Sequence, residues 1–309
     1  MYGQNAAGKG LMAVLILMIV MFVCSAVADG ENIYVENEYN YVDESMDISG
    51  GIPENVKGGL ERIRTAGVLR VATEPYYAPQ EFIDPSLTGQ AQYVGSDMEL
   101  AKLIAVRMGV ELEVVPMDFT EVLYAVAEGE CDLAISGLAF TPARASQVEL
   151  SKGYYFSQET TGGCIVIRTE DAETIMALED LAVRKIVAQS GSLQEALAAE
   201  RITDYEEFRR LSTITEVYQA LLDGRADAAV VDFENVDGYI ANNPDCGLMV
   251  VPGISLSLDK LFMGDRIAGK KGDLPLMYFI NGVIDEVLEN GQYQKWFDEY
   301  ETYALCLGL

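Results

Sequence analysis

Two charged residues stand where a helix start and a strand end would present them to a small molecule. Arg144 follows Thr141 and Pro142, a pattern in which Thr caps a helix and Pro takes its first position. Its guanidinium could hold a carboxylate through two parallel hydrogen bonds, although a single Arg is more often a surface residue. Asp232 leaves the apolar run 228–231 and could accept from an ammonium group or cap the following helix. Keeping both residues favours a zwitterionic ligand.

Further candidates for a binding site are a polar turn and three aromatic residues. The turn 190–192 reads Ser-Gly-Ser and precedes a predicted helix, whose N–H groups and dipole favour an anion. The same triplet also suits an ordinary capping turn. Tyr76, Tyr77 and Phe119 could form walls around a flat or aliphatic group, or could simply pack in the core.

The composition narrows the possible chemistry. The chain has no His, which excludes Ser-His-Asp and Cys-His catalysis and removes the commonest metal ligand. Beyond the leader lie Cys131, Cys164, Cys246 and Cys306, and none forms a CxxC pair, so we expect no zinc site, no metal and no cofactor. Three complete disulfide pairings, or free thiols, remain open.

The net charge argues against several kinds of partner. The chain carries 49 acidic and 21 basic residues, a formal charge of −28. Such a field repels nucleic acid and anionic lipid, so we expect no nucleic-acid partner. It weakly favours cationic solutes, although an acidic surface also serves solubility alone.

The first 57 residues look like a targeting segment and a linker. Lys9, the apolar run 11–23 and small residues at 26 and 28 predict a signal peptide over residues 1–28. An uncleaved membrane anchor and a lipid-modified Cys24 are the alternatives, and all three place the protein outside the cytoplasm. Residues 29–57 are acidic and without period, which predicts a solvated linker.

Two sets of alternating strands and helices follow from about residue 58. The runs 69–73, 111–116 and 133–136 read as strands around helices at 98–108 and 121–127. A second set has strands at 186–188 and 228–231, helices at 192–199 and 215–222, and a late helix at 275–288. This alternation predicts α/β lobes with largely parallel sheets.

An internal echo relates the two sets. Residues 125–136 match residues 220–231: a helix ends in an acid and Gly, and an Asp leads into an apolar strand. Gly137 and Asp232 then occupy equivalent places just past their strands. Ligands of open α/β sheets bind at such carboxyl ends, so two facing ends would form a cleft.

Six segments in this order resemble a known family, the extracellular solute-binding proteins of family 3, which supply polar amino acids to ABC transporters. The segments are Gly67–Phe82, Val94–Lys102, Asp132–Arg144, Gln189–Ser192, Ala228–Asp232 and Gly291–Phe297. The resemblance covers roughly residues 58–300. It implies a binding protein, not an enzyme, exported to the periplasm or cell surface.

The resemblance also implies an architecture and partners. The fold would be a two-lobed clamp, like that of periplasmic binding proteins, with two hinge crossings. Lobe 1 would comprise residues 58–160 plus 255–309, and lobe 2 residues 161–254. The expected partners are a small-molecule amino acid and a membrane permease, and the protein is expected to be a monomer.

The resemblance assigns roles to particular residues. Arg144 would bind the α-carboxylate, helped by backbone N–H groups at Gly137 and near Ser192. Asp232 would bind the α-ammonium, while Tyr77 and Phe119 sandwich the side chain. Glu74 would meet a distal polar group, which favours a cationic or amide-bearing amino acid. The remaining expected ligand contacts are Ala139, Gln189 and Leu193.

The sequence departs from the family in three places. Ala139 stands where Thr or Ser is common, so one hydroxyl contact to the carboxylate is missing. Leu193 replaces a frequent Thr or Gly, and the second crossing at 261–266 matches the family poorly. Two other functions remain as alternatives: a dehydratase like cyclohexadienyl dehydratase, and a ligand-sensing domain for a separate receptor.

Overall fold

The computed structural model describes residues 58–156, 161–257 and 263–309. The predicted signal peptide or anchor and the acidic linker lie outside these ranges. Within the described residues, the chain forms two five-stranded sheets and one small three-stranded sheet, with helices packed against them. The α/β fold and its division between two sheets confirm the predicted two-lobed architecture.

The strands and helices follow each other in the alternation that the sequence predicts. The strands are β1 Val68–Thr73, β2 Tyr76–Tyr77, β3 Glu81–Ile83, β4 Tyr93–Val94, β5 Glu111–Pro116, β6 Leu133–Ala134, β7 Val148–Tyr155, β8 Thr161–Arg168, β9 Lys185–Gln189, β10 Glu207–Leu211, β11 Ala228–Val231, β12 Leu248–Ser257 and β13 Asp265–Lys270. The helices are α1 Gly59–Ala66, α2 Ser96–Met108, α3 Phe119–Glu128, α4 Pro142–Gln147, α5 Leu193–Arg201, α6 Ile214–Leu222, α7 Phe233–Asn242, α8 Leu274–Glu289 and α9 Gln292–Leu307. Short 3-10 turns cover Gly89–Gln92, Thr169–Asp171 and Leu178–Leu181.

Each large sheet is parallel in one part and antiparallel in the other. The first has the order β5-β1-β6-β13-β7 and the second the order β10-β9-β11-β8-β12. In each, the first three strands pair in parallel, the fourth pairs antiparallel with the third, and the fifth pairs antiparallel with the fourth. The prediction of largely parallel sheets therefore holds for the pairings among the first three strands of each sheet. The antiparallel pairings involve the strands on either side of the chain's passages between sheets.

The internal echo is a repeated structural unit. Helices α3 and α6 each precede a strand that pairs in parallel with a neighbour in its sheet, β6 with β1 and β11 with β9. The carboxylate of Asp132 accepts the backbone N–H of Arg70 over 2.8 Å, and that of Asp227 accepts the N–H of Lys185 over 2.8 Å. Equivalent aspartates thus fix equivalent strands, which explains why the same acid recurs 95 residues later.

Helix α2 buries the face that its spacing predicts. Met98, Ala101, Ile104 and Met108 are all buried, and the last three belong to a hydrophobic cluster that also contains residues of the first sheet and α8. The second sheet has a cluster on each of its faces. The strand ends of both sheets therefore sit on rigid, fully packed supports.

The chain passes from the first sheet to the second between β7 and β8 and returns between β12 and β13. Residues 157–160 and 258–262, which contain these passages, lie outside the described ranges. Strand β12 pairs with β8 as far as Ser257, three residues past the division expected at residue 254. The exact lobe boundaries stay a prediction.

The described part of the chain has two further relevant features. Cys131, Cys164, Cys246 and Cys306 are all free, so none of the three possible disulfide pairings forms in this structure. Over the same residues, none of the helices combines the length and apolar character that a bilayer crossing requires.

Candidate ligand-binding site

A cavity lies at the carboxyl ends of the central strands of both large sheets. It receives residues that follow β1, β6, β9 and β11, as expected for ligand sites in open α/β sheets. All ten residues predicted from the sequence line it: Glu74, Tyr77, Phe119, Gly137, Ala139, Arg144, Gln189, Ser192, Leu193 and Asp232. The tertiary structure therefore brings the predicted set together.

Arg144 is a buried cation at the start of α4. Thr141 caps this helix by accepting the N–H of Arg144 over 3.1 Å, as the Thr-Pro pattern predicts. The guanidinium donates to the carbonyl of Ala139 over 2.7 Å and to that of Gly191 over 3.0 Å. Its Cζ lies 5.5 Å from the centre of the Phe119 ring. Burial lowers the pKa of Arg144 to about 10, which leaves it charged at neutral pH.

The arrangement around Arg144 suits an anionic ligand. A guanidinium has five N–H donors, and only two take part in hydrogen bonds to the carbonyls. Arg144 is only 7% exposed, and the charge of Asp265 acts on it. Because the buried guanidinium still has N–H donors that these carbonyls do not use, a ligand carboxylate in the cavity would be favoured here.

Asp232 both caps a helix and lines the cavity. Its carboxylate accepts the N–H of Asn235 over 3.2 Å at the start of α7. Burial raises the pKa of Asp232 to about 6. The two alternatives left open by the sequence, a cap and a ligand contact, are therefore compatible in one side chain.

The Ser-Gly-Ser turn opens helix α5 beside the cavity. Ser192 caps the helix by accepting the N–H of Glu195 over 2.9 Å. The N–H of Gly191 donates to Glu195 Oε2 over 2.7 Å. A helix that begins at Leu193 leaves first-turn N–H groups without partners in the helix itself, and Leu193 lines the cavity.

Glu74 is a buried carboxyl at the end of β1. Within the described part of the chain, its Oε1 has no hydrogen-bond partner, and the residue is 1% exposed. Burial raises the pKa of Glu74 to about 8, which the neighbouring Gln189 opposes and Asp118 supports. These neighbours differ from those of Asp232.

Tyr77 and Phe119 come from two different elements, a strand of the small sheet and the start of a helix. Tyr77 ends β2, and its ring lies 3.7 Å from where a side chain on Gly137 would begin. Phe119 opens α3 and approaches Gly191 of the other sheet. Both aromatic residues line the cavity.

The backbone N–H of Gly137 has a partner within the protein. Its N–H, which the family resemblance assigns to the ligand's carboxylate, donates to Asp97 Oδ2 over 3.2 Å. Asp97 also accepts from the hydroxyl of Tyr154 over 2.7 Å and from that of Tyr293 over 2.5 Å. The strand end at Gly137 is therefore held from behind by a buried carboxylate.

Ten further residues line the cavity and were not selected from the sequence. They are Gln80, Glu81, Ser136, Tyr155, Gly162, Gln194, Glu234, Met263, Gly264 and Asp265. Ser136 donates to Glu81 over 3.0 Å. Burial raises the pKa of Glu81 well above its usual range, and the negative charge of Asp97 raises it further. The position of Ser136 at the end of an apolar strand was a usable signal, whereas Asp265 and Tyr155 had none.

Hydrogen bonds join the two lobes around the cavity. Arg144 reaches Gly191, as described, and the hydroxyl of Tyr155 donates to Glu234 over 3.0 Å. The side chain of Asn235 donates to the carbonyl of Ala78 over 3.4 Å. A ligand between these elements would contact both lobes at once. The described residues include no group of three or more His, Cys, Asp or Glu side chains arranged to hold a metal.

This geometry agrees with a match to a family of proteins. The model of the bacterial extracellular solute-binding proteins, family 3, matches residues 69–302. The chain belongs to this family.

Two relatives and one solved structure have sequences similar to that of this chain. The arginine-binding extracellular protein ArtP of Bacillus subtilis is 31% identical over 237 residues, covering 74% of this chain and 86% of that protein. A cyclohexadienyl dehydratase of Pseudomonas aeruginosa is 29% identical over 175 residues, covering 56% of this chain and 62% of that enzyme. The structure of AbpA, an amino acid ABC transporter substrate-binding protein from Streptococcus pneumoniae bound to L-arginine, has a TM-score of 0.70 and 31% identity. The match covers 79% of this chain and 99% of the AbpA chain.

Proposed function

We propose that this family 3 protein is the substrate-binding component of an amino-acid ABC transporter and that its ligand is a cationic amino acid, with L-arginine favoured. The observation that carries the proposal is the charge distribution in one cavity. Buried Arg144 suits an α-carboxylate, Asp232 suits an α-ammonium, and Glu74 offers a separate carboxyl whose Oε1 has no partner among the described residues. A guanidinium or ammonium side chain would complete that arrangement.

The total charge of the cavity supports a cationic ligand. Five carboxyl residues line it, namely Glu74, Glu81, Asp232, Glu234 and Asp265. Arg144 is the cation among the lining residues. A zwitterion with a neutral side chain would use Arg144 and Asp232 but would not supply the cation that favours the charged form of buried Glu74.

The proposed role is capture and delivery. The ligand would join the two lobes and favour their closed arrangement, because contacts on both sides form only when the lobes meet. A permease in the membrane would then receive the amino acid from the closed form. We place the protein outside the cytoplasm, as a monomer, exported by residues 1–28 or retained by them at the membrane.

Isothermal titration calorimetry with a panel of amino acids tests the ligand. The panel contains L-arginine, L-lysine, L-ornithine, L-histidine, L-glutamine and L-citrulline. We expect micromolar or tighter binding of L-arginine and weaker binding of L-citrulline, which has the same shape without the charge. Equal affinity for these two ligands would contradict the role of Glu74, and no binding across the panel would contradict the zwitterion.

Two variants connect the ligand preference to Glu74. Glu74→Gln should reduce the preference for L-arginine over L-citrulline, since the buried carboxylate is lost and its shape is kept. Glu130→Gln is the matched control, because it makes the same chemical change at an exposed residue outside the cavity. A similar change in both variants would assign the preference to the overall charge.

One observation supports a second candidate, dehydration of a cyclic carboxylate. The dehydratase relative belongs to the same family, and buried Glu74, with a pKa near 8, could hold a proton at neutral pH. Incubation with prephenate, followed by the absorbance of the aromatic product, tests this. Turnover that is lost in Glu74→Gln would replace the binding proposal with an enzymatic one.

A further inference from the structure

Asp265 occupies a central place in the cavity that the sequence did not reveal. It is the first residue of β13, and its backbone pairs with Tyr155 of β7 and bridges to Ala139. The carbonyl of Ala139 accepts the guanidinium of Arg144. Ala139 therefore links Asp265 to Arg144, the cation that we assign to the ligand's carboxylate.

The side chain of Asp265 is oriented by Gln80. Gln80 Nε2 donates to Asp265 Oδ2 over 2.7 Å. Gln80 itself is 5% exposed, and its carbonyl accepts the N–H of Asp97 over 2.9 Å. Gly95 allows this close packing, because a side chain there would begin 2.1 Å from the Gln80 carbonyl oxygen at a φ of +128°. A buried amide thus fixes one oxygen of the carboxyl group.

Several other charged groups act on Asp265. Asp97, Asp232 and Glu234 act on it as like charges, while Arg144 and Arg266 feel its charge in return. Arg266 is the next residue on the strand, and it donates to the carbonyl of Ser151 over 2.9 Å. Burial raises the pKa of Asp265 to about 8, so a cation beside it would stabilise the charged form.

We propose that Asp265 is a second carboxylate for the ligand's α-ammonium, acting with Asp232 and oriented by Gln80, and that it selects ligands with a charged α-amino group. This proposal rests on the proposed function. An ammonium group has three N–H donors, so two carboxylates can accept from it at once. Asp265 lines the cavity together with Asp232 and Arg144, where such a group would lie.

Two probes separate the ammonium from the rest of the ligand: L-arginine and 5-guanidinopentanoic acid, which is the same molecule without its α-amino group. Calorimetry measures both dissociation constants for the wild-type protein and for Asp265→Asn. We expect Asp265→Asn to weaken L-arginine binding by about tenfold or more, as for loss of a hydrogen bond between charged groups. Its effect on 5-guanidinopentanoic acid should be within about twofold, within the scatter of surface substitutions.

Three more variants define the mechanism. Asp265→Glu keeps the charge and displaces the carboxylate, so it should also weaken L-arginine selectively. Gln80→Met removes the orienting amide and should give a smaller selective loss, about threefold, the size of one modest hydrogen bond. Asp237→Asn, at an exposed site on α7 outside the cavity, should leave both constants unchanged.

The outcomes separate this inference from the ligand proposal. If wild-type protein binds L-arginine and Asp265→Asn retains that affinity, or weakens both probes equally, the inference is overturned and the ligand proposal stands. Wild-type affinity in Asp265→Glu would reduce Asp265 to a diffuse charge and overturn it too. No binding of L-arginine by the wild type would remove both proposals. Melting temperatures without ligand show that each variant is folded, and Gln80→Met carries the test if an Asp265 variant is not.

Discussion

At the scale of single residues, the cavity is unusual for how many buried ionisable groups it holds. Glu74, Glu81 and Arg144 are all less than 9% exposed, and each has a pKa moved toward its neutral form by burial. Burial of charge is costly without a partner, so such groups are kept where a ligand supplies one. A ligand that places opposite charges beside these groups removes that cost, so it is bound in preference to a ligand that lacks them.

Arg144→Lys tests whether the guanidinium geometry matters beyond its charge. Lysine cannot keep both carbonyl contacts and bind a carboxylate through two parallel bonds, so L-arginine affinity should fall about thirtyfold, near 2 kcal/mol. Calorimetry on the purified protein measures this. Arg209→Lys is the control, since Arg209 is exposed and pairs with Glu207, and it should bind as the wild type does. An unchanged affinity in Arg144→Lys would remove Arg144 from the carboxylate site.

The pH dependence of binding and stability follows from Glu74. Its pKa of about 8 in the folded protein lies above the ordinary value of 4.5. At pH values between these two, the folded protein keeps a proton on Glu74 that the unfolded chain has released. The stability of the ligand-free protein should therefore fall as pH rises through that window. L-arginine affinity should rise over the same range, because the cation binds the deprotonated carboxylate.

Denaturant unfolding and calorimetry between pH 5 and about 8.5 measure both trends. Glu74→Gln should flatten each curve, leaving the slopes that Asp232 and Asp265 contribute. Asp285→Asn, at a half-exposed residue paired with Lys152, is the control and should keep the wild-type slopes. Affinity that falls with rising pH in the wild type would contradict a carboxylate that charges on binding.

At the scale of elements, strand ends and helix starts supply the site. Glu74 and Asp232 immediately follow β1 and β11, while Arg144 and Leu193 lie in the first turns of α4 and α5. Short polar caps hold these helix starts in place, with Thr141 and Ser192 each accepting an N–H three residues ahead. A cap here fixes both a helix and a ligand contact.

Thr141→Ala tests that coupling. Loss of the cap should lower the free energy of unfolding by about 1 kcal/mol, the usual cost of removing an N-cap. It should also weaken L-arginine binding, because Arg144 lies in the same first turn. Thr213→Ala is the matched control: it removes the cap of α6, outside the cavity, and should cost similar stability without changing affinity. Equal affinities in the two variants would separate the cap from the site.

At the scale of the whole molecule, the two lobes meet through a few polar contacts around the cavity. These include Tyr155 with Glu234 and Asn235 with Ala78, in addition to the Arg144 contact. Few direct bonds between lobes leave the ligand a large share of the interactions that hold the closed arrangement. The population of that arrangement then depends on the ligand.

Tyr155→Phe tests the balance between open and closed arrangements. Loss of its hydroxyl removes a bond to Glu234 and should weaken L-arginine several-fold, about 1 kcal/mol. The preference for L-arginine over L-lysine should be unchanged, since neither ligand loses a contact of its own. Tyr300→Phe removes a similar bond to Glu99 within one lobe and should leave affinity unchanged. A changed preference in Tyr155→Phe would make Tyr155 a ligand contact.

Much of the fold could be predicted from the sequence because its signals are local. Periodicity gave β5 with its exact limits and placed α2 and α8 within a few residues, and the caps at Thr141 and Ser192 follow from local chemistry. The repeated acid-Gly and Asp pattern identified equivalent strands in both lobes. These features depend on neighbours a few residues away, which a sequence displays directly.

Only the tertiary structure decided how the remaining residues complete the site. Asp265 reaches the cavity because β13 returns to the first sheet and pairs beside β6, and Gln80 reaches it across 185 positions of sequence. The role of the Gly137 N–H was also set by a distant residue, Asp97. Such contacts depend on strand order and on packing between lobes. From the sequence alone, local patterns identified Arg144, Asp232 and the turn at 190–192, and the resemblance to a family added Glu74, Ala139, Gln189 and Leu193. The carboxyls at Asp265 and Glu81 were decided by long-range pairing, which leaves no local pattern.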